Sequence, residues 1–214
     1  MAKEKNLIIL EAVSTRYLPN TLSIKEKLKE LGEIKIVSAN YSQYSSRYDA
    51  FKKGDVMPAF NPEMSGGALM DLNIYNINLM VTLFGKPKNI DYQANIEKGI
   101  DTSGILTLDY GTFEGVCIAA KDCKAPVSTN IQGDKGCINI TTPVNILSDF
   151  TVLMNSASKA NGGDTFNYNG GKHCRYHEFV EFAKVIDNKD YDKAKEMLDI
   201  SLITMDIQTK AIDE

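Results

Sequence analysis

Hydrophobic and polar positions along the chain repeat on two different periods. Residues 6–11, NLIILE, form a short apolar run bounded by charge, which predicts a strand buried on both faces. In residues 19–32, PNTLSIKEKLKELG, Leu22, Leu28 and Leu31 are spaced for one helical face. Asn20 or Thr21 can cap the start of that helix, and Gly32 stands where it should stop. Residues 33–44, EIKIVSANYSQY, set Ile34, Ile36 and then Tyr41 against polar neighbours and predict a strand covered on one face. Residues 45–67, SSRYDAFKKGDVMPAFNPEMSGG, follow neither period, and a loop of about twenty residues in a compact domain tends to bind or cover a ligand.

Residues 65–85, SGGALMDLNIYNINLMVTLFG, predict a helix that is apolar nearly all round, and such a helix is buried. Short strand-like stretches follow at 88–97, 104–110, 115–121, 126–133, 136–140 and 145–154, separated by turn signals such as Tyr110-Gly111 and Gly133-Asp134-Lys135-Gly136. Helical spacing returns from His173 through EFVEFAKVIDN and DYDKAKEMLDISLITMDIQTKAI. The order predicts an α+β fold: a large open, mainly antiparallel sheet, read as a meander, with helices on one face.

The 65–85 helix also carries chemistry. At about 100° per residue, Asp71, Tyr75, Asn78 and Thr82 fall within an arc roughly 60° wide. A buried carboxylate needs a cation, donors or a cavity, because leaving it unpaired costs several kcal/mol. Tyr75, one turn beyond Asp71, points the same way, and Gly66 and Gly67 let backbone or ligand come close. The stripe reads either as hydrogen bonding to the sheet or as the floor of a substrate pocket with a carboxylate and phenol for proton transfer.

A net charge of -4 gives no basic field, which argues against nucleic acid or an anionic membrane as partner. Apolar runs such as GVCIAA fall far short of the ~20 residues that cross a bilayer, and MAKEKNLIIL is too short in its apolar part for a signal peptide. A cytoplasmic location is expected. Cys117, Cys123, Cys137 and Cys174 lack CxxC spacing and are expected as free thiols. His173, Cys174 and His177 are the alternative, as metal ligands on one helical face, but they sit at a helix start and hold the chain's two histidines, so no metal is expected.

SGGALMDLNIY, residues 65–75, resembles the signature of the Gfo/Idh/MocA oxidoreductases, approximately GGG-x-L-x-D-x-G-x-[YH]. EAVSTRYLPNTLSIKEKLKELGEI, from residue 11, is similar to the family's E-A-x-x-x-R-[FY]-x-P segment, with Glu11 and Pro19 at its matched positions. LFGKP after the helix and EFVEFAKVI near the end also match. Ser65 replaces the first Gly of the signature and Asn73 the Gly within the helix. The resemblance implies two parts, a Rossmann domain for NAD(P) and a C-terminal substrate domain of the glyceraldehyde-3-phosphate-dehydrogenase-like type, and this chain matches the second. No G-x-G-x-x-G follows a strand, and the E-K-P stretch that supplies the family's catalytic lysine is missing. Residues 1–12 would then be a remnant last strand of a missing dinucleotide-binding domain, and 13–214 the substrate and dimerisation domain.

By that resemblance Asp71 and Tyr75 are the catalytic pair, and Thr15 and Arg16 fall where family members contact the cofactor, NAD or NADP. Arg16 is equally suited to a structural ion pair. A phenol with its ordinary value near 10 is a poor base at neutral pH and needs a cationic neighbour, which is expected from the missing half. Arg47, Tyr48 and Phe60 in the long loop, with Asn78 on the helix, are candidates for substrate contact. The expected function is the substrate-binding half of an NAD(P)-dependent oxidoreductase acting on a sugar, polyol or related hydroxyl compound, inactive alone. The alternative is a non-catalytic ligand-binding or dimerisation module. The expected partners are a small molecule and a second copy joined through the sheet face.

Overall fold

The computed structural model describes residues 4–156 and 162–213. After a 3-10 turn at Ser14–Tyr17 come α1, Pro19–Lys27, then β1, Ile34–Ser42, and α2, Tyr48–Lys52. A π-helical turn at Leu69–Asn73 runs into α3, Ile74–Phe84. Seven strands follow: β2 Asn89–Glu97, β3 Ile100–Asp109, β4 Glu114–Ala120, β5 Ser128–Gly133, β6 Gly136–Ile140, β7 Phe150–Met154 and β8 Asp164–Phe166. Helices α4, Cys174–Asp187, and α5, Tyr191–Asp213, close the described chain.

All eight strands make one open sheet in the order β2-β3-β4-β1-β5-β6-β7-β8. The pattern-based expectation of a plain meander needs one correction. β1 inserts between β4 and β5, parallel to β4 and antiparallel to β5, so the sheet is mixed though mainly antiparallel. A period-2 pattern shows which face a residue takes and is silent on which strand lies beside it.

Val37, Cys117, Ile131, Ile138 and Leu106 point to one face and pack with Ile24, Leu31, Ile77, Met80 and Ile207 from the helical layer. Ile36 and Ile105 point to the other face and are nearly half exposed, at 46% and 47%. The helical layer thus covers one face, as the α+β reading requires.

Two further expectations are corrected here. Residues 7–13 pair with no strand among the described residues: Ile8 and Leu10 pack on Val185, Ala194 and Met197, whereas Leu7 and Ile9 face outward. The run is extended and covered on one side by α4 and α5. In α1 the buried positions are Asn20, Thr21 and Ile24, and Leu22 is 53% exposed. Asn20 is drawn inward because its side chain donates to the Leu147 and Ser148 carbonyls and accepts from the Tyr168 amide, so Leu18, with Pro19 at the first helical position, holds the cap position instead. The stop at Gly32 is where the pattern put it, at φ 76 after a closing 3-10 turn.

Candidate active site

The Ser65-Gly66-Gly67 turn sets the start of the α3 helix. A side chain on Gly66 would collide with the Asn61 backbone and the Pro58 carbonyl, and Gly67 sits at φ +101 with Asp101 Oδ1 where a Cβ would go. Ser65, in place of glycine, takes the left-handed conformation at φ 55. Asp101 Oδ2 accepts from the Leu69 amide at 2.6 Å and from the Tyr92 hydroxyl at 2.7 Å, capping the exposed amides of the first turn. Burial pushes the Asp101 carboxyl above its usual range, against these hydrogen bonds.

The first turn is π-helical, and it carries Asp71. π-turns widen a helix locally and occur often at functional sites. Asp71 lies outside the packed stripe: its side chain is 49% exposed, whereas Asn78 is fully buried. Asp71 Oδ2 receives an ion pair from Lys121 Nζ at 2.6 Å. Lys121 is itself only 2% exposed, donates to the Ala59 carbonyl at 2.5 Å and lies 5.1 Å from the Phe60 ring centroid. Asp71 and Arg47 line the same surface cavity of about 290 Å³, with Pro58, Ala59, Met64 and Ser65.

One turn on, Tyr75 is half-buried against the ring of Tyr41 on β1, centroids 6.1 Å apart. Burial, and then the neighbouring Tyr75 and Asp71, push the Tyr41 phenol upward, while a hydrogen bond from Asn145 pulls it down. The residue before Asn145 accepts the Thr15 hydroxyl through its carbonyl, and Asn145 accepts Ser14 in the same way. The 14–17 turn is therefore linked through Asn145 and Tyr41 to the Asp71–Tyr75 pair.

Of the sequence candidates, the structure brings Asp71 and Arg47 to one cavity, while Tyr75, one turn from Asp71, packs on Tyr41. It places the others differently. Arg16 is buried and fully engaged: it pairs with Glu11 at 2.8 Å, donates to Ser201 Oγ at 2.8 Å and to the Met197 carbonyl, and bonds Asn78 Oδ1 through two of its nitrogens. Asn78 faces Arg16 and not the groove. Tyr48 is half-buried, its hydroxyl donating to Glu97 at 2.7 Å, and that bond, then burial, raises the phenol to about 12. Phe60 is buried, stacked on Phe51 at 4.6 Å. His173 Nδ1 accepts the Arg175 amide as a helix cap, and His177 bonds the Asn169 carbonyl. No group of three metal-ligating side chains converges among the described residues.

Sequence reasoning missed Lys121, Tyr41, Asp101 and Asn145. For Lys121 a signal existed: a lone lysine closing GVCIAAK, a strand otherwise apolar enough to be buried.

Residues 24–139 match the model of the GFO/IDH/MocA C-terminal domain, over half of the chain. The chain belongs to that oxidoreductase family. It is 42% identical over 144 residues to scyllo-inositol 2-dehydrogenase (NADP(+)) IolU of Bacillus subtilis, covering 66% of this chain and 43% of that protein. It is 34% identical over 140 residues to the uncharacterized oxidoreductase YgjR of Escherichia coli, covering 65% and 43%. The chain thus spans less than half the length of these curated relatives. The fold is also that of KijD10, a 3-ketoreductase from Actinomadura kijaniata solved with NADP and TDP-benzene, at a TM-score of 0.75 and 14% identity over 94% of this chain and 62% of that one. The family's C-terminal domain, of the glyceraldehyde-3-phosphate-dehydrogenase-like type, accounts for the open sheet described above.

Two residues expected at the cofactor do not fit direct contact with a dinucleotide. Thr15 is fully buried with its hydroxyl on the Val144 carbonyl, and the guanidinium of Arg16 has its donors committed inside the chain.

Proposed function

We propose that this chain is the substrate-binding half of an NADP-dependent oxidoreductase acting on a cyclic polyol or sugar. The observation that carries this reading is the Asp71 carboxylate, half exposed on a groove opposite Arg47 and held by a dry lysine, in a chain 42% identical to an inositol dehydrogenase. A carboxylate of fixed plane accepts hydrogen bonds from neighbouring hydroxyls of a polyol, and a guanidinium donates to others. Tyr75 Oη exchanges the proton of the reacting hydroxyl, with Tyr41 packed behind it. NADP, when bound, supplies the hydride chemistry from a dinucleotide-binding domain, which residues 1–12 would join. Thr15 and Arg16 act indirectly, shaping the turn that meets that domain, with Thr15 on the Val144 carbonyl and Arg16 on Asn78. Arg47 lines the cavity, and Tyr48 packs on Phe60 of the 58–60 turn beside it. The four thiols are unpaired, which suits a cytoplasmic setting.

Titration of scyllo-inositol into the isotopically labelled chain tests this reading. Amide shifts should centre on residues 47, 65 and 71, and the chain alone with NADP+ and scyllo-inositol should give no turnover. Absence of binding at millimolar polyol, shifts confined elsewhere, or turnover without a dinucleotide domain would each overturn it.

A second reading, a module that associates through its sheet, is favoured by the exposed Ile36 and Ile105 on the face the helices leave open. It predicts a homodimer by sedimentation, dissociated by Ile105→Lys, and the same dimer is compatible with the enzyme.

A further inference from the structure

We infer that Lys121 is the positioning residue of this site: its ammonium clamps the Asp71 carboxylate to the 58–60 turn and so sets the face that Asp71 offers to a ligand. The inference rests on the substrate reading above, and gives the Asp71 carboxylate a counter-charge from within the chain.

The argument begins with cost. Burying an ammonium is unfavourable unless a counter-charge and hydrogen-bond acceptors replace water. Lys121 finds both, from two segments distant in sequence: Asp71 in the π-turn and the Ala59 carbonyl in the 3-10 turn Pro58–Phe60. Its own backbone is held on both sides, the amide donating to the Thr102 carbonyl at 2.7 Å and the carbonyl accepting from Ser45 at 2.8 Å. The base of the side chain is thereby fixed to the sheet. Its tip reaches the two walls of the groove that Asp71 and Ala59 both line.

The division of the Asp71 side chain follows. One oxygen is taken by Lys121, while the carboxylate as a whole remains half exposed. An exposed aspartate alone would sample several rotamers, so a ligand would have to order it on binding. Lys121 removes that freedom in advance. The same contact holds Ala59 near Asp71, so the width of the groove and the angle of the carboxylate are set by one ammonium. Because Lys121 is only 2% exposed, it cannot meet the ligand itself. It acts through Asp71.

The test uses the 214-residue chain as wild type, Lys121→Met, Lys121→Arg, Asp71→Asn and the Lys121→Met/Asp71→Asn double variant, with scyllo-inositol as probe. Lys121→Met, similar in length and apolar, should change the melting temperature by only a few degrees, since the Asp71 carboxylate left without its partner is half in solvent and is rehydrated there. It should weaken inositol binding by about tenfold or more, the weight of a charge-assisted contact made loose. Lys121→Arg should recover part of the affinity. Asp71→Asn should weaken binding in the wild type and add little in the Lys121→Met background, because both changes disable one carboxylate.

A purely structural lysine gives the opposite split: lower melting temperature with unchanged affinity in the folded fraction, or losses that add. Either result overturns the inference. If the wild type fails to bind inositol, the substrate reading falls and a second measurement decides this one. Lys121→Met should then still move the amide signals of residues 59–61 and the side-chain carboxyl-carbon signal of Asp71. If those signals stay in place, Lys121 positions neither.

Discussion

The first turn and the middle of the 69–84 helical segment carry polar residues that meet different fates. In the middle Asn78 meets Arg16, and the guanidinium draws Glu11, Ser201 and the Met197 carbonyl into one saturated cluster below the surface. At the near end Asp71 meets Lys121, but the carboxylate stays half in solvent and shares its cavity with Arg47. Both are answers to a polar group in an apolar helix. What separates a structural polar residue from a candidate functional one is whether the chain uses up its hydrogen-bonding capacity, and identical stripe positions can fall on either side.

The comparison breaks most sharply at Arg16. Arg16→Met should cost roughly 3 kcal/mol, because removing one member of a buried charged cluster strands the others. Urea unfolding reads this directly, and inositol binding by the folded protein should change little. A stability loss below that of an ordinary surface substitution would mean the Arg16–Asn78 cluster is not saturated as described.

Next is the turn that sets the near end. Gly67→Ala should cost about 2 kcal/mol, from the positive φ and from displacing the Asp101 carboxylate that caps the helix. Because it moves the first turn, it should also weaken polyol binding, which Arg16→Met should not.

Asp71→Asn sharpens the contrast from the opposite side. An amide oxygen can still accept from Lys121, so stability should fall by about 1 kcal/mol at most. Polyol affinity should fall by about tenfold, the reverse of the Arg16 pattern. Calorimetry beside thermal unfolding separates the two quantities.

The smallest effect concerns pH. Burial pushes the Tyr17 phenol up from 10.0 to about 12, against the pull of Arg16 beside it. Below pH 10 folded and unfolded chains both hold the proton. Above it the unfolded phenol ionises first, so the unfolded state binds fewer protons and stability is lost as pH rises towards 12. The urea midpoint should therefore fall less steeply over that interval in Tyr17→Phe than in the wild type.

Much of this was legible in the residues. The helix within 65–85, the strands between 89 and 154 and the two closing helices follow from period and turn chemistry, although β3 begins at Ile100 and β7 at Phe150 rather than at 104 and 145, and the SGGALMDLNIY signature carried the family. Asp71, Tyr75 and Arg47 were marked as candidates from the residues, and the structure sets Asp71 and Arg47 on one cavity. Thr15, Arg16, Asn78 and Phe60 were found as notable positions, and their burial was not. A resemblance marks a position, but the partners that saturate a side chain come from residues far along the chain. For Arg16 those are Asn78, Met197 and Ser201. The run 6–11 shows the same limit: its apolar character was plain, whereas its packing on Val185, Ala194 and Met197 required α4 and α5 to be in place.

Local rules therefore account for which segments coil and which extend, because dihedral preferences, capping and side-chain period act over a few residues. Three things were decided only on assembly: the insertion of β1 beside β4, the π-turn that carries Asp71, and the pairing of Asp71 with Lys121. Each depends on groups brought together by packing of the whole sheet and helical layer, where burial changes the energy of a charge far more than its neighbours in sequence do.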